Sequence, residues 1–334
     1  MLVATWTSTG PPLAARSRSD YFRFAGWVLA AVVVVLVGRV LLHDLRELRT
    51  HPAPLRSNRV AVVLSGAIFL AAHAVLVQTW RSVLSCWDAR LPFWTAARIW
   101  SVSNLGRYLP GKIWQIGAMG AMARDVGVSP IAASGSAILG TLVNIVAGFV
   151  VALIGGRTLL ERSSNGHGTL AVAFVLAAAG ALLTAPLLLP RMAPWLGRLA
   201  GRPVTATLPA RAVTYALLGN LAAWLLYGAA FQMFMVGLLG GGAGGYAEYL
   251  AAYTISYLVG YLALFAPAGI GVREGTMVTV LVYAGLATNP QAALVALASR
   301  VWLTLLEVVP GFLFWARAAL RRRPPTIDPS DVPT

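Results

Sequence analysis

Arg107 and Lys112 stand five residues apart on either side of a Pro110-Gly111 break, within Asn104-Leu105-Gly106-Arg107-Tyr108-Leu109-Pro110-Gly111-Lys112-Ile113-Trp114-Gln115. Two cations and two side-chain amides in an otherwise apolar region make a candidate anion site. Arg offers a bidentate fork to a phosphate, and Lys offers a point charge. Pro lacks a backbone donor and crowds the preceding turn, and Gly tolerates positive φ, so a helix running through Leu109 is expected to stop there. A helix starting near Gly111 would aim its free N–H groups and positive dipole end at the same anion. Asn104, Tyr108, Trp114 and Gln115 complete the candidate substrate-binding set of this stretch. The plainer alternative is a cytosolic loop with both cations in water. An Arg at the bilayer centre costs about 2.5–3.5 kcal/mol on insertion scales, so two buried cations call for a ligand or a partner.

A second stretch has the same character: Phe265-Ala266-Pro267-Ala268-Gly269-Ile270-Gly271-Val272-Arg273-Glu274-Gly275. Pro267, Gly269 and Gly271 are candidate gating positions. Arg273 and Glu274 form a second head-group contact, a gate pair with the first break, or an ion pair at the membrane surface. Further on, Arg300 and Glu307 are seven residues apart and share one face of a helix. Opposite charges in an apolar segment are expected to pair, with each other or with the broken segments. Glu307 is the candidate acid for a proton- or cation-coupled step, with a purely structural pair as the alternative.

The elements that must hold these residues are read from composition. Of 334 residues 58% are hydrophobic and 11% are charged, with a mean hydropathy of +0.73. A soluble domain carries about 25% charge. Apolar runs long enough to span recur through the chain, which predicts an all-α, polytopic integral membrane helix bundle. Residues 1–23 form a Ser/Pro/Arg-rich cytosolic arm, residues 24–318 the transmembrane domain, and residues 319–334 a basic, Pro-rich tail. Expected spans are Phe24–Leu42, Val60–Trp80, Ile131–Ile154, Leu170–Leu189, Ala212–Leu239, Tyr246–Phe265, Val272–Leu286 and Pro290–Ala316. The segments 95–123 and 246–286 are expected as broken or re-entrant hairpins. Each arm around Pro110 spans only about 20 Å, short of the ~30 Å hydrocarbon core.

The net charge is +15, and Lys112 is the only lysine among 26 basic residues. These cations sit in short loops between apolar runs, so positive-inside topology explains them and nucleic acid is not an expected partner. The distribution places both termini in the cytosol of a bacterial-type plasma membrane. It also enters the first broken segment from inside and the second from outside, an inverted-repeat relation. Asn144, Asn220 and Gln232 are expected as hydrogen-bond glue between spans. Trp80, Trp87, Trp94, Trp100 and Trp114 are expected mainly as interfacial anchors, with Trp114 a candidate for a lipid path.

Enzyme signatures are thin. A P-loop, H-E-x-x-H and G-x-S-x-G are missing from the sequence, and the one glycine run, 240–245, has no strand before it to make a Rossmann fingerprint. Gly240–Gly245 reads as a hinge or linker. The single Cys86 excludes an intrachain disulfide, and four scattered His speak against a metal site. Neither enzyme activity nor a cofactor is expected. A membrane transferase acting on a polyprenyl-phosphate donor would need a carboxylate in an early outer loop, for which Asp44 and Glu47 are the candidates. An accessory scaffold for envelope-lipid synthesis, with its basic tail on anionic lipid, is the third reading.

The stretch Tyr108-Leu109-Pro110-Gly111-Lys112-Ile113-Trp114 resembles the flippase-like family built on the transmembrane region of lysylphosphatidylglycerol synthases. Pro267-Ala268-Gly269-Ile270-Gly271-Val272-Arg273-Glu274 resembles that family's other hallmark, Pro-Gly-Gly-Ile-Gly-x-Arg-Glu, with Ala268 in place of the first Gly. The resemblance covers residues 24–318. It implies a domain that moves an anionic or aminoacylated phospholipid, or a polyprenyl-phosphate-linked lipid, between leaflets. It also implies a stand-alone member that lacks the soluble aminoacyl-transferase domain and does not transfer lysine. The partner so implied is a membrane lipid with a phosphate head group; a second copy of the chain and envelope-lipid synthesis enzymes are the protein partners considered.

Overall fold

The computed structural model describes residues 58–108, 113–157, 208–240, 244–263 and 269–321, with isolated positions at 39 and within 180–191. Apart from those isolated positions, the expected spans 24–42 and 170–189, the 43–57 loop, the N-terminal arm and residues 322–334 of the tail lie outside the described residues. So do the centres of both breaks, 109–112 and 264–268, and with them Pro110, Gly111, Lys112 and Pro267.

Every described element is helical: α1 Arg59–Leu84, α2 Phe93–Asn104, α3 Ile113–Arg124, α4 Pro130–Gly155, α5 Ala210–Leu239, α6 Tyr246–Leu262, α7 Val272–Tyr283 and α8 Asn289–Arg321. Short 3₁₀ turns follow α1 at Ser85–Trp87 and α2 at Leu105–Tyr108. Four segments are long and apolar enough to cross a bilayer: Arg59–Trp87, Pro130–Gly155, Ala210–Leu239 and Asn289–Arg317. The shortest has 26 residues. At ~1.5 Å per residue that is about 39 Å, more than the ~30 Å needed. Large apolar side chains such as Ile131, Leu142, Leu218 and Leu313 stand exposed on their outer faces. Contiguous exposed apolar surface of this kind fits a membrane protein.

Local sequence sets the helix ends. The Asn58 side chain accepts from the Val60 and Ala61 backbone N–H groups at 3.1 and 3.2 Å, capping α1. Pro130 opens α4, where its missing donor costs nothing. Gly240, at φ 76°, closes α5. The first break begins earlier than expected. α2 stops at Asn104 and tightens into a 3₁₀ turn before Pro110 is reached. Gly106 permits this, because a Cβ there would lie 2.9 Å from the Gln115 nitrogen at the start of α3.

α2, α3 and α7 have 12 residues each and α6 has 17. At ~1.5 Å per residue these lengths give about 18 and 26 Å, so none spans the core alone. The long helices pack closely through small residues. α1 and α5 run antiparallel, with Asn58 N donating to Gly237 O at 2.8 Å. Gly237 faces Val62, and Gly219 faces Thr79 so closely that a Cβ would fall 1.9 Å from Thr79 Oγ1. One apolar cluster joins α1 to α2, α3 and α4 around Trp80, Ile99 and Met119. Another joins α1 and α4 to α5–α8 around Trp224, Tyr253, Met277 and Val295. α8 packs against both α2 and α7, so it touches an element beside each break.

Filling the α1–α5 contact should be costly. Gly219→Val is expected to lower stability by about 1–3 kcal/mol, the usual penalty of overpacking. Gly135→Ala, where an added Cβ meets nothing within 4 Å, should be near neutral. Thermal unfolding of the purified protein in detergent checks both.

Candidate functional site

Four of the charges that looked anomalous in the sequence, Arg107, Glu274, Arg300 and Glu307, are neutralised in two pairs, and α8 supplies one member of each. Arg107, on the 3₁₀ turn after α2, places Nη1 2.8 Å from Glu307 Oε1. Its Nη2 donates to the Tyr257 hydroxyl at 3.1 Å, and the Tyr108 hydroxyl donates to Glu307 Oε2 at 3.4 Å. Both carboxylate oxygens are therefore engaged by the first break. Two turns earlier on the same face of α8, Arg300 Nη1 meets Glu274 Oε1 at 2.6 Å. The other Glu274 oxygen accepts from Gly271 N at 2.7 Å, capping α7. Arg300 and Glu307 thus pair with the broken segments and not with each other.

Glycine geometry seats the second break. Gly269 and Gly271 hold φ of 73° and 79°, values that side chains disfavour. A Cβ on Gly269 would lie 2.7 Å from Gly260 O, and one on Gly260 would lie 2.7 Å from Arg273 Cβ. Arg273 does not reach Glu307. Its guanidinium lies over the rings of Tyr253 and Tyr257, 5.6 and 5.9 Å from their centroids. The pairing of Glu274 with Arg300 separates the two adjacent residues that were considered together as a gate.

Beside the Arg107–Glu307 pair the helices leave a cavity of about 100 Å³. Of the residues singled out in the sequence, Asn104, Arg107, Gln115 and Glu307 line it. Gln115 Nε2 donates to Asn104 Oδ1, tying the two arms of the first break together. Tyr108 is buried beside Glu307, whereas Trp114 is 53% exposed and is not part of the cavity lining. Asn144 and Asn220 also line the cavity. Asn220 donates back to Ala216 O of its own helix at 2.7 Å, so its amide is not used as glue between helices. Trp80 and Trp100 belong to the cavity wall and not to an interfacial belt; Trp80 Nε1 donates to Ser136 Oγ at 2.9 Å.

The sequence reading missed the aromatic wall. Tyr253, Tyr257 and Tyr261 on α6 are joined by Trp224 and Tyr227 of α5, with His73 of α1 on another side. The tyrosines recur every four residues, the spacing of a single helix face, and that was the available signal. Among the described residues no group of three His, Cys, Asp or Glu side chains is placed to hold a metal. The chain matches no protein-family model and no curated protein.

Among the described lining residues the two full charges, Arg107 and Glu307, are therefore committed to each other, and separating them should be expensive. Arg107→Met or Glu307→Met alone strands a charge and is expected to cost about 3–5 kcal/mol, while the double variant should recover most of that loss. A double-mutant cycle of thermal unfolding reads the coupling directly.

Proposed function

We propose that this protein is a lipid transporter whose cavity receives a phosphate-bearing head group while the acyl chains stay in the bilayer. The observation that supports this reading best is the Arg107–Glu307 pair, set at the edge of a polar, aromatic-walled cavity between helices long enough to span. Polar groups at this depth are costly and tend to mark a pathway. Of the two short stretches that resemble the flippase-like family, the first contributes Arg107 and Tyr108 to this pair and the second contributes Glu274 to the other pair on α8, with Arg300.

In this reading the head-group phosphate exchanges for Glu307 as the partner of Arg107, with Lys112 adding a second cation. Glu307, once released, takes a proton from water or a neighbouring hydroxyl donor, and it gives that proton back to water as the lipid leaves, so the ion pair closes again. The Arg300–Glu274 pair keeps the second break seated during that exchange. The loop charges support an inverted relation between the two broken segments, with the first entered from the cytosolic side and the second from the opposite side. Such an arrangement would present the cavity alternately to the two leaflets.

Reconstitution in vesicles with a phosphate-headed fluorescent lipid tests the proposal. Arg107→Ala with Lys112→Ala should slow translocation by roughly ten- to hundredfold, the equivalent of losing about 1.5–3 kcal/mol of charge-assisted hydrogen bonding. An unchanged rate at equal protein content overturns the reading. Glu307→Gln separates binding from turnover. It should tighten phosphate-lipid binding, because Arg107 loses its competitor, and lower the transport rate, because the bound lipid is no longer displaced.

A further inference from the structure

The cavity wall is richer than a phosphate requires. On α6, Tyr253, Tyr257 and Tyr261 stack in sequence, with centroids 6.3 and 6.0 Å apart and interplanar angles of 26° and 9°. Trp224 meets Tyr257 edge-on at 5.3 Å and 81°. Neutral hydrogen-bonding side chains share the lining, among them Asn144, Asn220 and Thr141. Trp100 also lines it, and its Nε1 donor is buried without an acceptor among the described residues.

Aromatic faces suit either a quaternary ammonium, through cation–π attraction, or the C–H face of a neutral ring, through dispersion. Charge decides between them. The guanidinium of Arg273 already lies over Tyr253 and Tyr257, and that of Arg107 enters the cavity itself. Two cations so placed oppose a third. Among the described lining residues the one carboxylate is Glu307, which is paired with Arg107 at 2.8 Å and, once the phosphate takes that place, is neutralised by the proton or hydroxyl donor of the proposed exchange. What remains is a neutral surface of rings, amides and hydroxyls. That surface complements a sugar, whose ring presents C–H groups on its faces and hydroxyls that both donate and accept around its rim. Size agrees. A volume of about 100 Å³, at roughly 10–15 Å³ per water molecule, holds about seven to ten waters, enough for one sugar ring and too small for acyl chains.

We infer that the cavity binds a glycosyl group carried on the lipid phosphate, with the sugar against Tyr261 and Trp224 and the phosphate at Arg107. The inference rests on the proposal that this cavity is the head-group site. It names the class of lipid as a phosphate-linked glycolipid.

The test is a binding titration on the full chain in nanodiscs, read by quenching of tryptophan fluorescence. The ligands are farnesyl phosphate, farnesyl phosphoryl-glucose and dihexanoylphosphatidylcholine. The glucosylated lipid is expected to bind about tenfold more tightly than bare farnesyl phosphate. Tyr261→Leu should remove that advantage while leaving affinity for farnesyl phosphate unchanged. If the variant fails to fold, the comparison of ligands on the wild-type chain still decides. Equal affinity for the two farnesyl lipids overturns the sugar assignment and leaves the transport reading standing. Tightest binding by the choline lipid also overturns it, in favour of a cationic head group. If neither farnesyl lipid binds, the head-group site itself is wrong and both proposals fall together.

Discussion

The arrangement depends on one constraint: charges inside an apolar helix bundle must be neutralised where they stand. α8 carries Arg300 and Glu307 on an apolar helix, and neither can be left bare at low dielectric. Each finds its counter-charge on a different broken segment, Glu274 and Arg107 respectively. The long helix thereby fixes the position of both breaks. The short helices α2, α3 and α7, which are too short to cross a bilayer themselves, are held against the bundle by these pairs and by the close contacts at Gly106, Gly260 and Gly311. The cavity is the space left where those ends fail to fill the interior between α1, α4, α5 and α6.

The two pairs are built differently, which fits different tasks. Glu274 gives one oxygen to Arg300 and the other to the N-terminus of α7, and Arg300 is buried. That pair has the character of a clamp. Arg107 and Glu307 border the cavity with side chains 22% and 17% exposed, and their other partners are tyrosine hydroxyls, Tyr257 and Tyr108. Neutral hydroxyls are weaker partners than a second charge or a backbone cap. If either pair opens for a ligand, it is this one, and on it the proposed exchange of carboxylate for phosphate depends.

Much of this was legible in the residues. The span expected at Ile131–Ile154 is α4, Pro130–Gly155, and that expected from Ala212 is α5. Length and hydropathy suffice there, since a run of that length has few other uses. Asn104, Arg107, Gln115 and Glu307 were conspicuous because polar groups in apolar runs are expensive, and the fold gathers those four at one cavity. Their partners were not legible. Tyr108 and Glu307 are 199 residues apart, and local spacing says nothing about contacts at that range. The tyrosines of α6 were visible but ambiguous, because aromatic residues in a membrane helix are ordinarily interfacial. Only the packing of α5 and α1 against them turns a stripe into a wall. Trp80 and Trp100 were misjudged for the same reason.

The most direct measurement is the reactivity of a single cysteine in the cavity wall. In a Cys86→Ser background, Thr141→Cys lies on the lining and Ile138→Cys on the exposed apolar surface of the same helix. Small hydrophilic thiol reagents are added to reconstituted vesicles with and without a phosphate-headed lipid. A solvated head-group site predicts that Thr141→Cys reacts, and that the lipid protects it while the much lower reactivity of Ile138→Cys is unaffected. If Thr141→Cys is inert, or reacts at the same rate whatever lipid is present, no head group enters the cavity, and the account of lipid exchange at Arg107 and Glu307 is contradicted.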